Sequence, residues 1–456
     1  MEIIIVFIYA LVILAIANAI QSSNLAKGRK EYRFFFNGLL LKLVGAIAYG
    51  LIYKLVYKYG DTIQYYRCGI AFYQFSQEHF NEWLKLMFSS AEFLDKSHYE
   101  ANSGYSIYTT VSGLHPFYIE PDMFLMGKII SILAGPALGS YFVLSLFYAV
   151  LSFTGIWKLF QTITQLFPNY ENHLGYSIFF IPSVCFFGSG LMKDSLTIGA
   201  LGWFFYSASS LLTFSGKNLI SKIVWLLISS YFLLILKAYI LMCFVISLMV
   251  WLALRYNSGI KNILRRVVFF PIIVAFMAFA TSYGLVYIAN QTEKYRIDNI
   301  KSTAQGYQNY HLSITGEEGG GSSYSLGDLD YSTTGVLKKV PAAINVTFFR
   351  PYLWEAHSIL MGFSAIENLI ILLLTIYIIF IKVKLGTFLS IIRKDQLVIL
   401  SFVFALTLGF AVGFTTYNFG ALARYKIPAL LFYNIGMSLV FTRYHERLFY
   451  RHVKLN

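Results

Sequence analysis

In the stretch FGSGLMKDSLTIGALGWFF, Phe187 to Phe205, a lysine and an aspartate, Lys193 and Asp194, stand together between two apolar runs. A charge at the centre of a bilayer costs several kcal/mol, so such a pair is kept where it faces water, a partner or a ligand. Other ionisable residues also border apolar runs: Asp61, Lys237, Arg350 and Glu355 in FFRPYLWEAHS, and Arg424 and Lys426 in NFGALARYKIPALL. Arginine grips oxyanions bidentately and stays charged. A carboxylate beside it can take a proton from a hydroxyl. Tyr65 and Tyr66, in DTIQYYRCGIAFYQF, offer faces that stack on the C–H surface of a sugar and hydroxyls that hydrogen-bond to it. The set has the chemistry to hold a sugar carried on a phosphate or pyrophosphate.

Each member also has a plainer reading. Asp61 reads as a solvated helix end, and Lys193–Asp194 as an interfacial pair with Asp194 favouring a helix N-terminus. Arg350 and Arg424 read as side chains snorkelling to headgroups. Glu78, Glu82, Asp95 and Lys96 read as the wet face of an amphipathic helix. His79, His98, His115, His311 and His357 have no metal-ligand spacing. The chemical reading therefore rests on the set.

The elements that must position these residues are membrane spans. Of 456 residues, 57% are hydrophobic and only 13% charged, with a mean hydropathy of +0.62, against about 25% charge in ordinary soluble domains. The formal charge of +14 is scattered in short loops, which fits a topology bias and argues against a nucleic-acid partner. Cys68, Cys185 and Cys243 lie far apart and read as small apolar fillers. The first apolar run contains ANA, a cleavage-site mimic, but carries Glu2 at its start and Lys27, Arg29, Lys30 and Arg33 after it. It reads as an uncleaved first span.

The spacing predicts an all-α, polytopic, single membrane domain over 1–456. About eleven spans fall near 3–20, 34–58, 139–163, 175–189, 192–214, 220–236, 239–254, 267–289, 357–381, 397–414 and 424–442. Four basic clusters then share one side: Lys27–Arg33, Arg255–Arg266, Lys382–Lys394 and Arg443–Lys454. That side is cytoplasmic by charge bias, with the N-terminus outside and the C-terminus inside. Residues 59–138 form an outer loop with eight acidic residues from Asp61 to Asp122, amphipathic interfacial helices, and a run, MFLMGKIISILAGP, too short to span. Residues 290–356 form a second outer loop, whose GEEGGGSSYSLGD portion reads as mobile. Asp328–Asp330 spells DLD, a weak match to a metal-binding DxD. A divalent metal is therefore conceivable but unsupported, and no cofactor is indicated. Lys42, in LLLKLVGAIAYG, is the main charge inside a span and reads as snorkelling inward.

Four segments carry a family resemblance: YGDTIQYY (Tyr59–Tyr66), FFIPSVCFFGSGLMKDSLTIG (Phe179–Gly199), FFRPYLWEA (Phe348–Ala356) and ALARYKIP (Ala421–Pro428). Their order resembles the EpsG/Wzy-type polysaccharide polymerases and, more broadly, multi-span membrane glycosyltransferases of the GT-C type. The resemblance implies a GT-C-like fold in the bacterial cytoplasmic membrane. It implies an undecaprenyl-phosphate-linked sugar donor, a glycan or lipid-linked acceptor, and transfer on the non-cytoplasmic face within a lipid bilayer. Asp61 would be the base, and Lys193, Arg350 and Arg424 the phosphate or leaving-group contacts. Lys193–Asp194 stands where EpsG-like chains carry an arginine and a glutamine, which departs from the polymerase pattern. Two other classes stay open: a lipid-linked oligosaccharide flippase or other transporter, and a non-catalytic membrane scaffold.

Overall fold

The computed structural model describes residues 2–89, 120–168, 170–213, 218–259, 322–327 and 332–455. Among these residues the chain is helical, and its only extended pairing is a single bridge between Ser323 and Asn418. Among the described residues seven helices are long and apolar enough to cross a membrane. This agrees with a helical membrane protein, while the expected count of eleven spans is not reached among the described residues. The expected span 267–289, the DLD triplet, and Asp95, Lys96, His98, His115 and His311 lie outside them.

The chain divides into two compact units, Met1–Ala238 and Tyr239–Asn456. The first begins with α1 (Glu2–Ala26) and α2 (Phe35–Leu51, extended by a π-helical turn to Tyr57). Lys54 pairs with Glu2 at 3.1 Å, so α1 and α2 run antiparallel and close a hairpin around the basic loop. At the opposite end Arg33 approaches Glu171 at 3.9 Å. The charged residues thus mark two ends of the unit.

The core of this unit is α6 (Tyr141–Leu166) packed on α2 and on α9 (Lys193–Thr213). A Cβ added at Gly155 would lie 1.8 Å from the Gly199 carbonyl oxygen, and one at Gly202 would lie 2.1 Å from that of Gly155. Helices in lipid lack a hydrophobic drive toward one another, so close backbone approach through small residues supplies the packing. Helices α3 (Asp61–Glu78) and α5 (Pro121–Ala134) pair in the same way, with Gly69 against Ile130 and Gly127 against Cys68 and Phe72. At 14 residues, α5 is too short to span, as its sequence implies. The amphipathic α4 (Phe80–Phe88) follows α3 and exposes a Glu82–Lys85 pair.

One expectation needs correction here. No single span covers 175–189; α7 (Glu171–Phe179) ends before Pro182, which starts the short α8 (Pro182–Phe187). Proline lacks the N–H that would continue the ladder, so it opens a new helix there. The expected break at Lys237 is present. Helical backbone runs from Leu219 to Gly259 as α10, interrupted only by Lys237 at φ −155°, ψ 73°.

In the second unit α11 (Thr333–Phe349) packs on α14 (Gln396–Thr415), where the Thr347 hydroxyl donates to the Gly409 carbonyl at 2.6 Å. This helix occupies part of the expected second outer loop. Helix α14 also packs on α16 (Ile427–Leu455), with the amphipathic α13 (Leu385–Lys394) and the short α15 (Phe419–Tyr425) around it, while α12 (Ile359–Ile376) packs on α11 and α15. Asp395 caps α14 by accepting from Leu397 N at 3.0 Å and binds Arg443 at 2.7 Å. Two of the predicted cytoplasmic clusters therefore share one end of this unit.

Candidate functional site

The Lys193–Asp194 turn is built by a helix that stops and another that starts. α8 ends at Phe187 with Gly188 as its C-cap, and α9 begins at Lys193. Between them the Met192 N–H donates to Gly190 O at 2.8 Å and the Ser195 hydroxyl donates to the same oxygen at 2.6 Å. Gly190 is required at this turn because a Cβ there would sit 2.3 Å from the Tyr49 ring.

The two charges of the turn point to different partners. Lys193 donates to Asp122 Oδ2 of α5 at 2.6 Å, and both side chains keep some exposure, 13% and 16%. Asp194 pairs with Lys237, and these side chains are 2% and 7% exposed. Asp122 was not singled out by the sequence; its position at the start of α5 was the available signal. The non-helical backbone of Lys237 lies where its side chain meets Asp194.

Helix α3 meets this turn through Tyr65. Lys193 Nζ lies 5.6 Å from the centre of the Tyr65 ring. Asp61 is the first residue of α3, exposed, and one helical turn before Tyr65. Residues four apart share a helix face, so Asp61 and Tyr65 stand on the same side of α3. Thr62, next to Asp61, shares a 2.8 Å hydrogen bond with Tyr141, and Tyr66 donates to Gly139 O at 2.7 Å. These bonds fix the start of α3 against the start of α6. Tyr65 itself is 1% exposed and Tyr66 packs edge-on against Tyr141. Their rings serve as packing elements here, and a sugar would need Tyr65 to move before stacking on it.

Lys42 does not snorkel. It is buried, and its ammonium donates to Ser152 Oγ at 3.1 Å, Val184 O at 3.0 Å and Gly188 O at 2.7 Å.

The remaining expected residues belong to the second unit and form two groups. Arg350 is gripped by Glu355 through a two-nitrogen, two-oxygen fork, with Nε 3.0 Å from both carboxylate oxygens. Its guanidinium also lies 5.5 Å from the Phe419 ring centre. Burial pushes the Glu355 carboxyl up, but the Arg350 bonds and the Tyr352 N–H outweigh it and hold it below the ordinary glutamate range. The bidentate face expected to meet phosphate is therefore occupied by Glu355.

The second group centres on Lys426, buried between α15 and α16. It donates to Asn368 Oδ1 at 2.6 Å and feels the charge of Glu367. Glu367 and Asn368 are buried in α12. Neither is among the residues expected from the sequence, although ENLI stands out inside an otherwise apolar span. Arg424 is half-buried with its guanidinium 5.8 Å from the Tyr425 ring centre.

Part of the segment expected to be mobile is anchored beside these groups. Tyr324 N donates to Tyr417 O at 3.1 Å, Phe419 N donates to Ser322 O at 2.7 Å, and the Tyr324 hydroxyl donates to Gly413 O at 2.9 Å. Among the described residues no cluster of three or more His, Cys, Asp or Glu side chains could hold a metal.

Comparison of the chain with family models, with curated proteins and with solved structures finds no match.

Proposed function

We propose that the chain is a membrane glycosyltransferase or polysaccharide polymerase that takes its sugar from a polyprenyl-phosphate-linked donor on the non-cytoplasmic face of the membrane. The acceptor is a glycan or a lipid-linked sugar. The observation that supports this reading is the meeting of α3 with the Lys193–Asp194 turn, which sets Asp61 one helical turn from the ring that Lys193 approaches. Buried ionisable residues in membrane helices are costly and mark sites for polar ligands.

In this reaction the acceptor oxygen bonds to the anomeric carbon of the donor sugar as the carbon–oxygen bond to phosphate breaks. Asp61 takes the acceptor proton. The departing phosphate gains negative charge, which Lys193 offsets once Asp122 yields its place. Asp122 keeps Lys193 neutralised until a phosphate competes for it.

A second reading, a carrier of lipid-linked oligosaccharides, is favoured by charge away from the turn. Glu367, Asn368 and Lys426 are buried together beside α12, where a transport path would place polar groups. Detergent separates the two readings. In micelles there are no leaflets to cross, so an enzyme still converts a lipid-linked donor and a carrier has nothing to do.

The test compares wild-type protein with Asp61→Asn, expressed to equal membrane levels in cells lacking the chromosomal copy. Mass spectrometry of extracted lipids should show the unreacted lipid-linked sugar accumulating in Asp61→Asn, with its glycan product lost. Wild-type amounts of product from Asp61→Asn would remove Asp61 from the mechanism.

A further inference from the structure

Lys42 is a cation buried in a helix with neutral oxygens as its hydrogen-bond partners. An ammonium group has three protons, and three acceptors surround it: Ser152 Oγ, Val184 O and Gly188 O. Ser152 donates its own proton to Gly188 O at 2.7 Å, so its lone pairs face the ammonium. The arrangement accommodates the fully protonated side chain.

Two of the three acceptors are backbone carbonyls at the end of α8. The last carbonyls of any helix lack intrahelical partners, and in lipid such groups have no water to turn to. They also carry the partial negative charge of the helix end. Ser189 closes a third, donating to Cys185 O. A cation from a neighbouring helix thus does for α8 what solvent does for a helix end in water.

The neighbouring helix is shaped to deliver it. Gly38, Lys42, Gly45 and Tyr49 recur at spacings of four, three and four along α2 and share one face. A Cβ at Gly45 would be 2.0 Å from Cys185 O, and one at Gly38 would be 2.9 Å from the Phe179 ring. The two glycines let α2 lie against the α7–α8 segment, with Lys42 between them. Tyr49 then fills the space beside Gly190 in the turn.

We propose that Lys42 is a positioning residue, a tethered cation that caps α8 and so fixes the turn carrying Lys193 and Asp194. Tyr49 of α2 packs on Phe186 and Phe187 beside the same turn, so Lys42 adds the polar anchor to an apolar one. Gly188, where Lys42 and Ser152 converge, is five residues before Lys193. Removing the ammonium takes its donor from Val184 O, leaves Gly188 O with Ser152 alone, and loosens the α8 end. The link to catalysis rests on the function proposed above; the structural role does not.

A small amine can test this because it can replace the lost head group. In a Cys68→Ser, Cys243→Ser background, Cys185 on α8 is the only thiol, and maleimide labelling reports opening of the cap. Lys42→Ala should label about tenfold faster than its parent, as expected for loss of buried hydrogen bonds, and should lose glycan product. Propylammonium should restore slow labelling and product together, and propanol, of similar size but neutral, should not. Lys42→Met, which fills the volume without the charge, should behave like Lys42→Ala and serves if the alanine variant does not insert. Unchanged labelling in both variants, or equal rescue by propanol, would overturn the proposal. If the parent makes no glycan product, the function reading fails while the labelling and its rescue still decide the role of Lys42.

Discussion

Asp194 and Lys237 are nearly sealed from solvent, so neither charge can be removed without stranding the other. Breaking a buried pair from one side costs about 3–5 kcal/mol, whereas replacing both members often costs little. Asp194→Asn and Lys237→Met are each expected to lower the thermal midpoint of the detergent-purified protein by several degrees. The double variant should recover most of that loss; a double variant as unstable as the worse single one would contradict the pairing. Glu355 makes a milder, pH-dependent case. Its carboxyl sits below its ordinary value of 4.5 in the folded chain, so its contribution is complete above that value and fades as pH falls through the lowered one. Below pH about 4.5, wild-type protein should lose thermal stability faster than Glu355→Gln. Equal acid sensitivity would show that the Arg350 fork adds nothing. These residues were legible in the sequence as charges beside apolar runs, but their partners were not. Asp122 is 71 positions from Lys193 and Lys237 is 43 from Asp194. Pairing over such separations is set by helix packing, which a single chain of letters does not display.

Helices were read more easily than the places where they stop. The spans around 139–163, 192–214 and 397–414 match α6, α9 and α14 because long apolar runs leave little alternative to a helix in lipid. The 175–189 span was misread because its apolar run hides a proline whose ring ends one helix and begins another. Lys42 was misread for a related reason: a lysine in a span suggests snorkelling, and its true partners are carbonyls left open where the short α8 ends. The glycines were visible but mute, since only the packed pair shows which ones touch backbone. Their role can be tested at the α6–α9 crossing. Gly155→Leu should push the helices apart and destabilise by about 1–3 kcal/mol or more, because its Cβ meets backbone that cannot rotate away. Gly362→Leu, where nothing lies within 4 Å of the added Cβ, should leave the melting temperature near that of wild type. Equal losses at the two positions would argue against close helix contact as the organising force.

At the scale of the molecule, the chain is a helical membrane protein of two compact units, each with its own buried polar group. By residue type and placement beside apolar runs, Asp61, Lys193, Arg350 and Arg424 form one set in the sequence. Asp61 and Lys193 belong to the first unit, and Arg350 and Arg424 to the second. Within the first unit the gathering has a physical basis: α3, α5, α9 and the break in α10 each contribute one or more members at the Lys193–Asp194 turn. Composition was sufficient to foresee a membrane protein, since 13% charge leaves too little polar surface for a soluble one. The central claim is that this turn receives a phosphate borne on a lipid. Native mass spectrometry of the detergent-purified chain with undecaprenyl phosphate and undecaprenol measures it directly. Wild-type protein should retain the phosphate in preference to the alcohol, and Asp122→Asn/Lys193→Met, which removes both charges without stranding either, should lose that preference. The same preference in both proteins would contradict the account.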